Sequence, residues 1–121
     1  MSMHAGKPTV SVIVPSYNHA HYYVSLAIKS VLAQIYTDWE AIVVNDGSTD
    51  ETEAVVAQFT DPRIRYIYQE NQGLSAARNT GIRTAQEDCL AFLDADDEWE
   101  PDFLRCCVDA LVHDGGNPLA V

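Results

Sequence analysis

The sequence predicts an α/β domain whose sheet is Rossmann-like, doubly wound and mostly parallel, built from four strand–helix units. Three observations support this prediction. Short apolar runs rich in β-branched residues recur along the chain, each run is followed by a segment with apolar residues at helical spacing, and turn-forming residues separate the units. Such alternation is typical of a parallel sheet with helices on both faces, joined by right-handed crossovers.

The first two units are clear from their apolar patterns. The run VSVIV, residues 10–14, predicts a strand buried on both faces, and EAIVVN, residues 40–45, predicts a second strand. Ser48 and Glu51 then have the spacing of a capping box ahead of the second helix. The inward faces predicted for the two helices consist of Tyr23, Leu26, Ala27, Ser30, Val31 and Gln34, and of Thr52, Val55, Val56 and Phe59.

The last two units follow the same plan. IRYIY, residues 64–68, predicts the third strand, and CLAFL, residues 89–93, predicts the fourth. Pro101 occupies a favoured first helical position, and Gly115 is a suitable terminator for that last helix. The inward faces predicted for the two helices consist of Leu74, Ala77, Arg78 and Ile82, and of Leu104, Cys107, Val108 and Leu111.

Composition limits the possible functions. With 121 residues, 47% of them apolar, the chain is long enough for one globular core. We assign residues 8–121 to that domain and residues 1–7 to a disordered leader. The 18 acidic and 7 basic residues give a net charge of −11, which argues against nucleic acid as a partner because phosphate binding relies on Lys and Arg.

Two further features concern the cellular compartment. No apolar run is long enough to span a bilayer, and no apolar signal segment opens the chain, so we expect a cytoplasmic protein. Cys89, Cys106 and Cys107 lack the spacing of a metal site, and we interpret them as buried free thiols. His19 and His21 are interpreted as loop or helix-cap residues, because no third zinc ligand accompanies them.

Polar segments follow three of the predicted strands. In doubly wound sheets the common strand order begins 3-2-1-4, so that strands 1 and 4 are neighbours and ligands bind outside the carboxyl ends. Those ends carry PSYN at residues 15–18, NDGSTD at residues 45–50 and DADD at residues 94–97. We therefore expect the three segments to converge on one crevice.

The stretch DADDEWE places five carboxylates within seven residues, directly after a strand. Asp94, Asp96 and Asp97 fit a site for Mg²⁺ or Mn²⁺ plus phosphate, because these ions prefer oxygen ligands and use few protein carboxylates. The alternative is a solvated acidic turn that complements the N-terminus of the following helix. Glu98 and Glu100 fit that alternative, and the residue types alone leave both interpretations open for the three aspartates.

The motifs taken together resemble a known family. The runs SVIVPSYNHAHYYVSLAIKSVLAQIYTDWEAIVVNDGSTDET, NQGLSAARNTGI and AFLDADDEWEPDFL, in this order, are similar to the N-terminal half of a family 2 glycosyltransferase with the GT-A fold. The resemblance covers roughly residues 8–111. It implies binding of a nucleotide-diphosphate sugar, commonly a UDP-sugar, and transfer of the sugar with inversion to a hydroxyl of a saccharide, lipid or protein acceptor.

The resemblance implies a nucleotide site residue by residue. Pro15 and Tyr17 match the loop that lies against the base. Asp46 matches the carboxylate that accepts the imide N–H of uracil. Arg78 matches a basic position whose side chain approaches the nucleotide, and Asp96 matches an acidic residue that contacts the ribose.

A divalent ion completes the implied site. Asp96 and Asp97 match the acidic pair that holds Mn²⁺ or Mg²⁺ on the diphosphate, and Asp94 opens the motif as a third metal-site residue that orients its neighbours. The family's general base lies in the second half of the fold, and no residue up to Val121 matches it, so the catalytic residues are unknown. We therefore expect the donor-binding part of a transferase. The alternative is a nucleotide-sugar-binding module without transfer activity.

The resemblance also bears on partners and location. In the GT-A fold a strand from the second half covers the outer side of strand 4, here residues 89–93. We expect that edge to be open in this chain and to support a homo-oligomer, because an unpaired strand edge is a template for pairing. The cytoplasm is the expected location, either free or peripheral at the membrane.

Overall fold

The structure is a computed structural model that describes residues 8–20 and 22–113. The predicted leader, His21 and Gly115 lie outside these residues. Strands and helices alternate in the predicted order, with ends that differ from the predicted ones by a few residues. The elements are β1 Val10–Ser16, α1 Tyr23–Leu32, β2 Trp39–Asp46, α2 Thr52–Ala57, β3 Ile64–Gln69, α3 Leu74–Thr84, β4 Cys89–Phe92 and α4 Phe103–His113.

The four strands form one parallel sheet in the order β3-β2-β1-β4. Val10 at the start of β1 lies opposite Trp39 of β2 and Cys89 of β4. At the carboxyl ends of the strands, Asp46 of β2 lies opposite Gln69 of β3. The α/β fold class and the neighbouring positions of β1 and β4 are thereby confirmed, and the carboxyl ends of β1, β2 and β4 share one edge.

Helices cover both faces of the sheet. On one face α1, α2 and α4 contribute Val24, Val56 and Leu104 to a core that also contains the valines of β1. On the opposite face α3 contributes Ala77, which packs with Ile42 and Val44 of β2. The two central strands are buried on both sides, which explains why their sequences are continuous apolar runs.

The buried faces of α1 and α3 differ from the predicted ones. In α1 the buried residues are Val24, Ala27, Ile28 and Val31, so Tyr23 remains 49% exposed. Apolar residues occupy two adjacent stripes of this helix, and the stripe with the β-branched side chains faces the sheet. In α3 only small side chains face inward, namely Ala77 and Gly81, while Leu74 and Ile82 are exposed.

The start of α2 also differs from the prediction. The helix begins at Thr52 without a side-chain cap from Ser48, so the predicted capping box is wrong. The Ser48 hydroxyl instead accepts a hydrogen bond from the Asn18 N–H at 2.9 Å. Asp50 performs the local capping, because its Oδ1 accepts the N–H of Thr52 at 3.0 Å.

The three cysteines differ in their burial. Cys89 is buried and Cys107 is half-buried, but Cys106 is exposed, so the prediction of a buried thiol is wrong for that residue. It lies on the side of α4 that faces away from the core formed by Leu104 and Val108.

Among the residues that the structure describes, no helix is long and apolar enough to cross a bilayer.

Candidate functional site

A cleft of about 350 Å³ opens at the carboxyl edge of the sheet, where β1, β2 and β4 end. Its volume lies at the lower end of the range for small-molecule sites. The convergence of these strand ends on one crevice is therefore confirmed. The lining residues come from the strand ends and from the start of α3: Pro15, Ser16, Tyr17, His19, Asp46, Asn71, Gly73, Leu74, Ala77, Asp94, Ala95 and Asp96.

Asp46 organises one wall of this cleft. It is only 3% exposed. Its Oδ1 accepts hydrogen bonds from Gln69 Nε2 and from the Gln72 N–H, both at 2.9 Å. Its Oδ2 accepts from Asn71 Nδ2 at 3.2 Å and from the Gly73 N–H at 3.0 Å. These donors occupy about as many positions as an ionised carboxylate offers, so Asp46 fixes the segment between β3 and α3.

The turn after Asp46 requires glycine. Gly47 has a φ of 74°, and a Cβ atom at this position would lie 2.5 Å from the backbone nitrogen of Asn71. The left-handed conformation and the close approach both exclude an ordinary side chain. The turn after β2 can therefore lie directly against the segment that Asp46 holds.

An aromatic residue stands at the mouth of the cleft. Tyr17, the first residue after β1, is 45% exposed. Its N–H donates to Nδ1 of His19 at 3.3 Å, and the His19 ring meets Tyr23 edge-on with centroids 6.2 Å apart. An exposed aromatic ring of this kind offers a flat surface on which a planar base can stack.

The acidic stretch after β4 is divided between different environments. Asp94 forms an ion pair with Arg78 of α3, with Nη2 and Oδ1 3.1 Å apart. Asp97 takes part in a tight turn, because its N–H donates to the Asp94 carbonyl and its Oδ1 accepts the N–H of Glu98, both at 2.9 Å. Asp96 is exposed and lines the cleft. Of the three aspartates, one is therefore ion-paired and two face solvent.

A divalent ion is the cofactor that the resemblance implies. No group of three or more His, Cys, Asp or Glu side chains within residues 8–20 and 22–113 is arranged to hold an ion by itself. An Mg²⁺ or Mn²⁺ ion that arrives with a diphosphate needs only one or two protein carboxylates, and the exposed Asp96 and Asp97 fit that requirement. Asp94 is engaged by Arg78, which fits a role in orienting its neighbours.

The structure brings most of the predicted site residues together. Arg78 reaches the cleft through Asp94, and its buried Nε has no hydrogen-bond partner in the described part of the chain. Asp97 adjoins the cleft without lining it. The predicted site residues that line the cleft are Pro15, Tyr17, Asp46, Asp94 and Asp96. The specific role of each residue stays a prediction.

The polar segment before α3 and the loop after β1 also supply lining residues that were not predicted for the site, among them His19, Asn71 and Gly73. Asn71 and Gly73 have the sequence character of a turn before a helix, and His19 that of a loop. Only the pairing of β2 with β3, which sets Asp46 opposite Gln69, brings Asn71 and Gly73 to the cleft. The motif NQGLSAARN, which forms part of the resemblance, was the available signal that this segment matters.

The fold and the cleft together define a class, namely doubly wound α/β domains that hold a ligand outside the carboxyl ends of a parallel sheet. The family described as glycosyl transferase family 2 matches residues 11–117. The chain belongs to this family.

Curated relatives agree with that assignment. The chain is 46% identical over 102 residues to the putative teichuronic acid biosynthesis glycosyltransferase TuaG of Bacillus subtilis. This match covers 82% of the chain and 40% of the relative. The chain is 38% identical over 109 residues to chondroitin synthase of Escherichia coli, covering 88% of this chain and 16% of the relative. The chain therefore spans less than half the length of these relatives.

Solved structures agree on the fold. S. aureus TarS residues 1–349, in complex with UDP-GlcNAc, superposes with a TM-score of 0.80 at 26% identity, covering 87% of this chain and 31% of that one. The mannosyltransferase PcManGT from Pyrobaculum calidifontis, in complex with GDP-Man and Mn²⁺, superposes with a TM-score of 0.81 at 32% identity, covering 87% and 32%. Both share the GT-A, Rossmann-like arrangement of the four strands.

Proposed function

We propose that this chain is the donor-binding part of an inverting glycosyltransferase that moves a sugar from a nucleotide-diphosphate sugar, specifically a UDP-sugar, to an acceptor hydroxyl. The observation that carries the proposal is the make-up of the cleft. One cavity combines the exposed ring of Tyr17, the buried carboxylate of Asp46 and the acidic turn at Asp94 and Asp96. The cleft therefore contains groups that chemically match an aromatic base, a ribose and a metal-bound diphosphate.

The base end of the site follows from Tyr17 and Asp46. The base stacks on the Tyr17 ring beside Pro15, and its imide N–H approaches the Asp46 carboxylate. That carboxylate already accepts four hydrogen bonds, so the imide replaces the longest of them, from Asn71 at 3.2 Å. The Asn71 amide can yield without breaking the wall, because it also donates to the Asp46 carbonyl at 3.1 Å.

The diphosphate end follows from the acidic turn. Transfer breaks the bond between the anomeric carbon and a diphosphate oxygen, whose electron pair leaves with the nucleoside diphosphate. The acceptor oxygen forms the new bond and gives its proton to a base that we do not assign to this chain. A bound divalent ion would neutralise charge on the leaving diphosphate. Asp96 and Asp97 would hold that ion, while Arg78 keeps Asp94 oriented.

The relatives support a nucleotide-sugar donor and a divalent ion. TarS is described in complex with UDP and with UDP-GlcNAc, and PcManGT with GDP-Man and Mn²⁺. A further relative, 45% identical over 91 residues, is a UDP-Glc-dependent glucosyltransferase, WfgD of Escherichia coli. We propose uracil as the base, and we propose synthesis of a cell-wall or other polysaccharide in the cytoplasm, free or peripheral at the membrane, as the setting.

The test is a binding measurement with the 121-residue chain. UDP should bind in the presence of Mn²⁺ or Mg²⁺, as measured by calorimetry, and its affinity should fall at least about tenfold in chelator, which equals roughly 1.4 kcal/mol. The Asp96→Asn variant should reproduce the effect of chelator. Asp88→Asn is the matched control, because Asp88 is also exposed but precedes β4 at the opposite edge of the sheet.

The remaining arms of this experiment separate the alternatives. Equal UDP affinity with and without metal would contradict the role of the acidic turn. Stronger binding of GDP than of UDP would contradict the choice of base. Donor binding without sugar transfer or donor hydrolysis is expected of a donor-binding part as well as of a nucleotide-sugar-binding module, whereas sugar transfer by the 121-residue chain would exclude the module. As a further part of the proposal, the chain forms a homo-oligomer through the outer edge of β4.

A further inference from the structure

We infer that Asn18 is a positioning residue for the donor: it fixes the loop that carries Tyr17 by tying that loop to the turn after β2. The inference rests on the proposed function for the identity of the ligand. The tie itself consists of contacts between residues about thirty positions apart in the sequence. Asn18 does not line the cleft, so its effect on the ligand must pass through its neighbours.

The backbone of Asn18 has an unusual conformation. Its φ is 55°, in the left-handed region that non-glycine residues seldom adopt and that Asn tolerates better than most. β1 ends at Ser16, so this bend decides the direction in which the chain leaves the sheet immediately after Tyr17. A residue that disfavours a positive φ would move the loop.

Reciprocal hydrogen bonds hold Asn18 in place. Its N–H donates to the Ser48 hydroxyl at 2.9 Å, and its Oδ1 accepts the N–H of Thr49 at 2.8 Å. The Thr49 hydroxyl lies 3.4 Å from the same Oδ1. Both the main chain and the side chain of Asn18 are therefore bonded to the turn after β2. The side chain acts as an acceptor, which hydrophobic residues cannot replace.

A second tie lies two residues further along. The N–H of Ala20 donates to Oδ2 of Asp50 at 3.0 Å, while Oδ1 of Asp50 accepts the N–H and the hydroxyl of Thr52. Burial alone raises the pKa of Asp50, but these hydrogen bonds outweigh it and lower the pKa below its ordinary value. Asp50 therefore stays ionised near neutral pH and joins the end of the loop to the start of α2.

Tyr17 depends on these ties for its position. Tyr17 is 45% exposed and does not belong to the hydrophobic core, so the core does not hold it in place. The helices that follow the two loops are anchored separately, by Val24 and Val31 in α1 and by Val56 in α2. Loss of the Asn18 bonds should therefore leave the fold intact and allow the Tyr17 loop to move.

Three substitutions separate the backbone role of Asn18 from that of its side chain. Asn18→Asp keeps the acceptor and the tolerance of positive φ, and should bind uridine within about threefold of the wild type. Asn18→Gly keeps the conformation but loses the acceptor, and should weaken uridine about three- to tenfold, as expected for one or two lost hydrogen bonds. Asn18→Ala loses both properties and should be the weakest binder. Thermal unfolding of each variant checks the fold.

A double-mutant cycle with Tyr17 tests the route of the effect. If Asn18 acts by placing Tyr17, then Asn18→Gly should weaken uridine binding far less in a Tyr17→Ala background than in the wild type. Ser48→Ala, which removes the acceptor of the Asn18 N–H, should behave in the same way and serves if Asn18→Gly is unstable. Ser25→Ala in α1 is the control, because Ser25 takes no part in these loop bonds.

The outcomes are distinct. Additive losses in both cycles, or an Asn18→Gly variant that binds uridine like the wild type, would overturn this inference while leaving the proposed function in place. A wild-type chain that binds neither uridine nor UDP would overturn the proposed function, and this inference would fall with it. Non-additive losses together with recovery in Asn18→Asp support a positioning role, since a general loss of stability would not depend on Tyr17.

Discussion

At Asp46 the same carboxylate atoms stabilise the cleft and make the proposed contact with the ligand. Its carboxylate is almost fully buried, and its hydrogen-bond donors within the described residues all lie at residues 69–73, at the end of β3 and in the segment that leads to α3. Burial of an ionised group is unfavourable unless such donors surround it. The donors in turn would be left unsatisfied if the carboxylate were lost, so neither side is independent of the other.

The substitution Asp46→Asn tests this dependence at nearly constant volume. It replaces one acceptor oxygen by an amide that faces other donors, so we expect the free energy of unfolding to fall by about 1–3 kcal/mol. Binding of uridine should weaken along with that of UDP, because the proposed partner is the base. Urea denaturation and calorimetry measure the two effects.

The contrasting variant is Asn71→Ala. It leaves three donors on the Asp46 carboxylate and frees the position that the base is proposed to take. The free energy of unfolding should change by less than about 1 kcal/mol, and uridine binding should persist. Unchanged stability in Asp46→Asn would contradict the structural role, and unchanged uridine binding would contradict the contact with the base.

At the scale of elements, the contact between α3 and β1 fixes the depth of the cleft, because the start of α3 forms one of its walls. The helix approaches the strand so closely that a Cβ atom on Gly81 would lie 2.4 Å from Cγ2 of Ile13. Ala77, the other buried residue of α3, is also small. The apolar residues Leu74 and Ile82 are therefore turned outward, although their spacing suggested the opposite.

The substitution Gly81→Ala sets helix propensity against this packing. Alanine favours a helix over glycine by about 1 kcal/mol, whereas an added carbon in a filled interface costs about 1–3 kcal/mol. The packing cost should exceed the gain in helix propensity, because the clash involves a buried β-branched side chain. The variant should therefore unfold at a lower urea concentration. Asn79→Ala, at an exposed position of the same helix, should be neutral or slightly stabilising. A more stable Gly81→Ala variant would show that α3 can move away from β1.

At the scale of the whole molecule, the sheet has an open side at β4. This strand pairs with β1 on one side, and no strand within the described residues pairs with its other side. Leu90 and Phe92 of β4 are only half-buried. An unpaired edge beside partly exposed apolar side chains favours association with another chain, although the shortness of β4 limits the pairing.

We predict that the 121-residue chain self-associates through this edge. Sedimentation should show a species larger than the monomer that dissociates on dilution. Leu90→Lys should shift the equilibrium toward monomer, because a charge at an edge strand opposes pairing. Ile82→Lys on the exposed face of α3 is the control and should not. A monomer at high concentration whose β4 amides also exchange slowly would contradict the prediction.

Much of this architecture was predictable because it depends on short-range patterns. The apolar runs of β1 and β2 and the helical segments between them have periods of a few residues, so the order of the elements follows directly. The convergence of Tyr17, Asp46 and Asp96 on one crevice follows from strand order alone. The buried face of α1 was predicted only in part, with Ala27 and Val31, since two adjacent stripes are apolar and only packing against the sheet selects between them.

Local periodicity and contiguous motifs were sufficient to predict the fold class, the family and the three strand ends that form the cleft. The groups that surround those residues follow only from the folded arrangement of the chain. The donors to Asp46 lie 23 to 27 residues away, and the bonds between Asn18 and the turn after β2 span 30 and 31 residues. Contacts at such separations depend on strand register and on close backbone approach, and no local pattern of residue types encodes them.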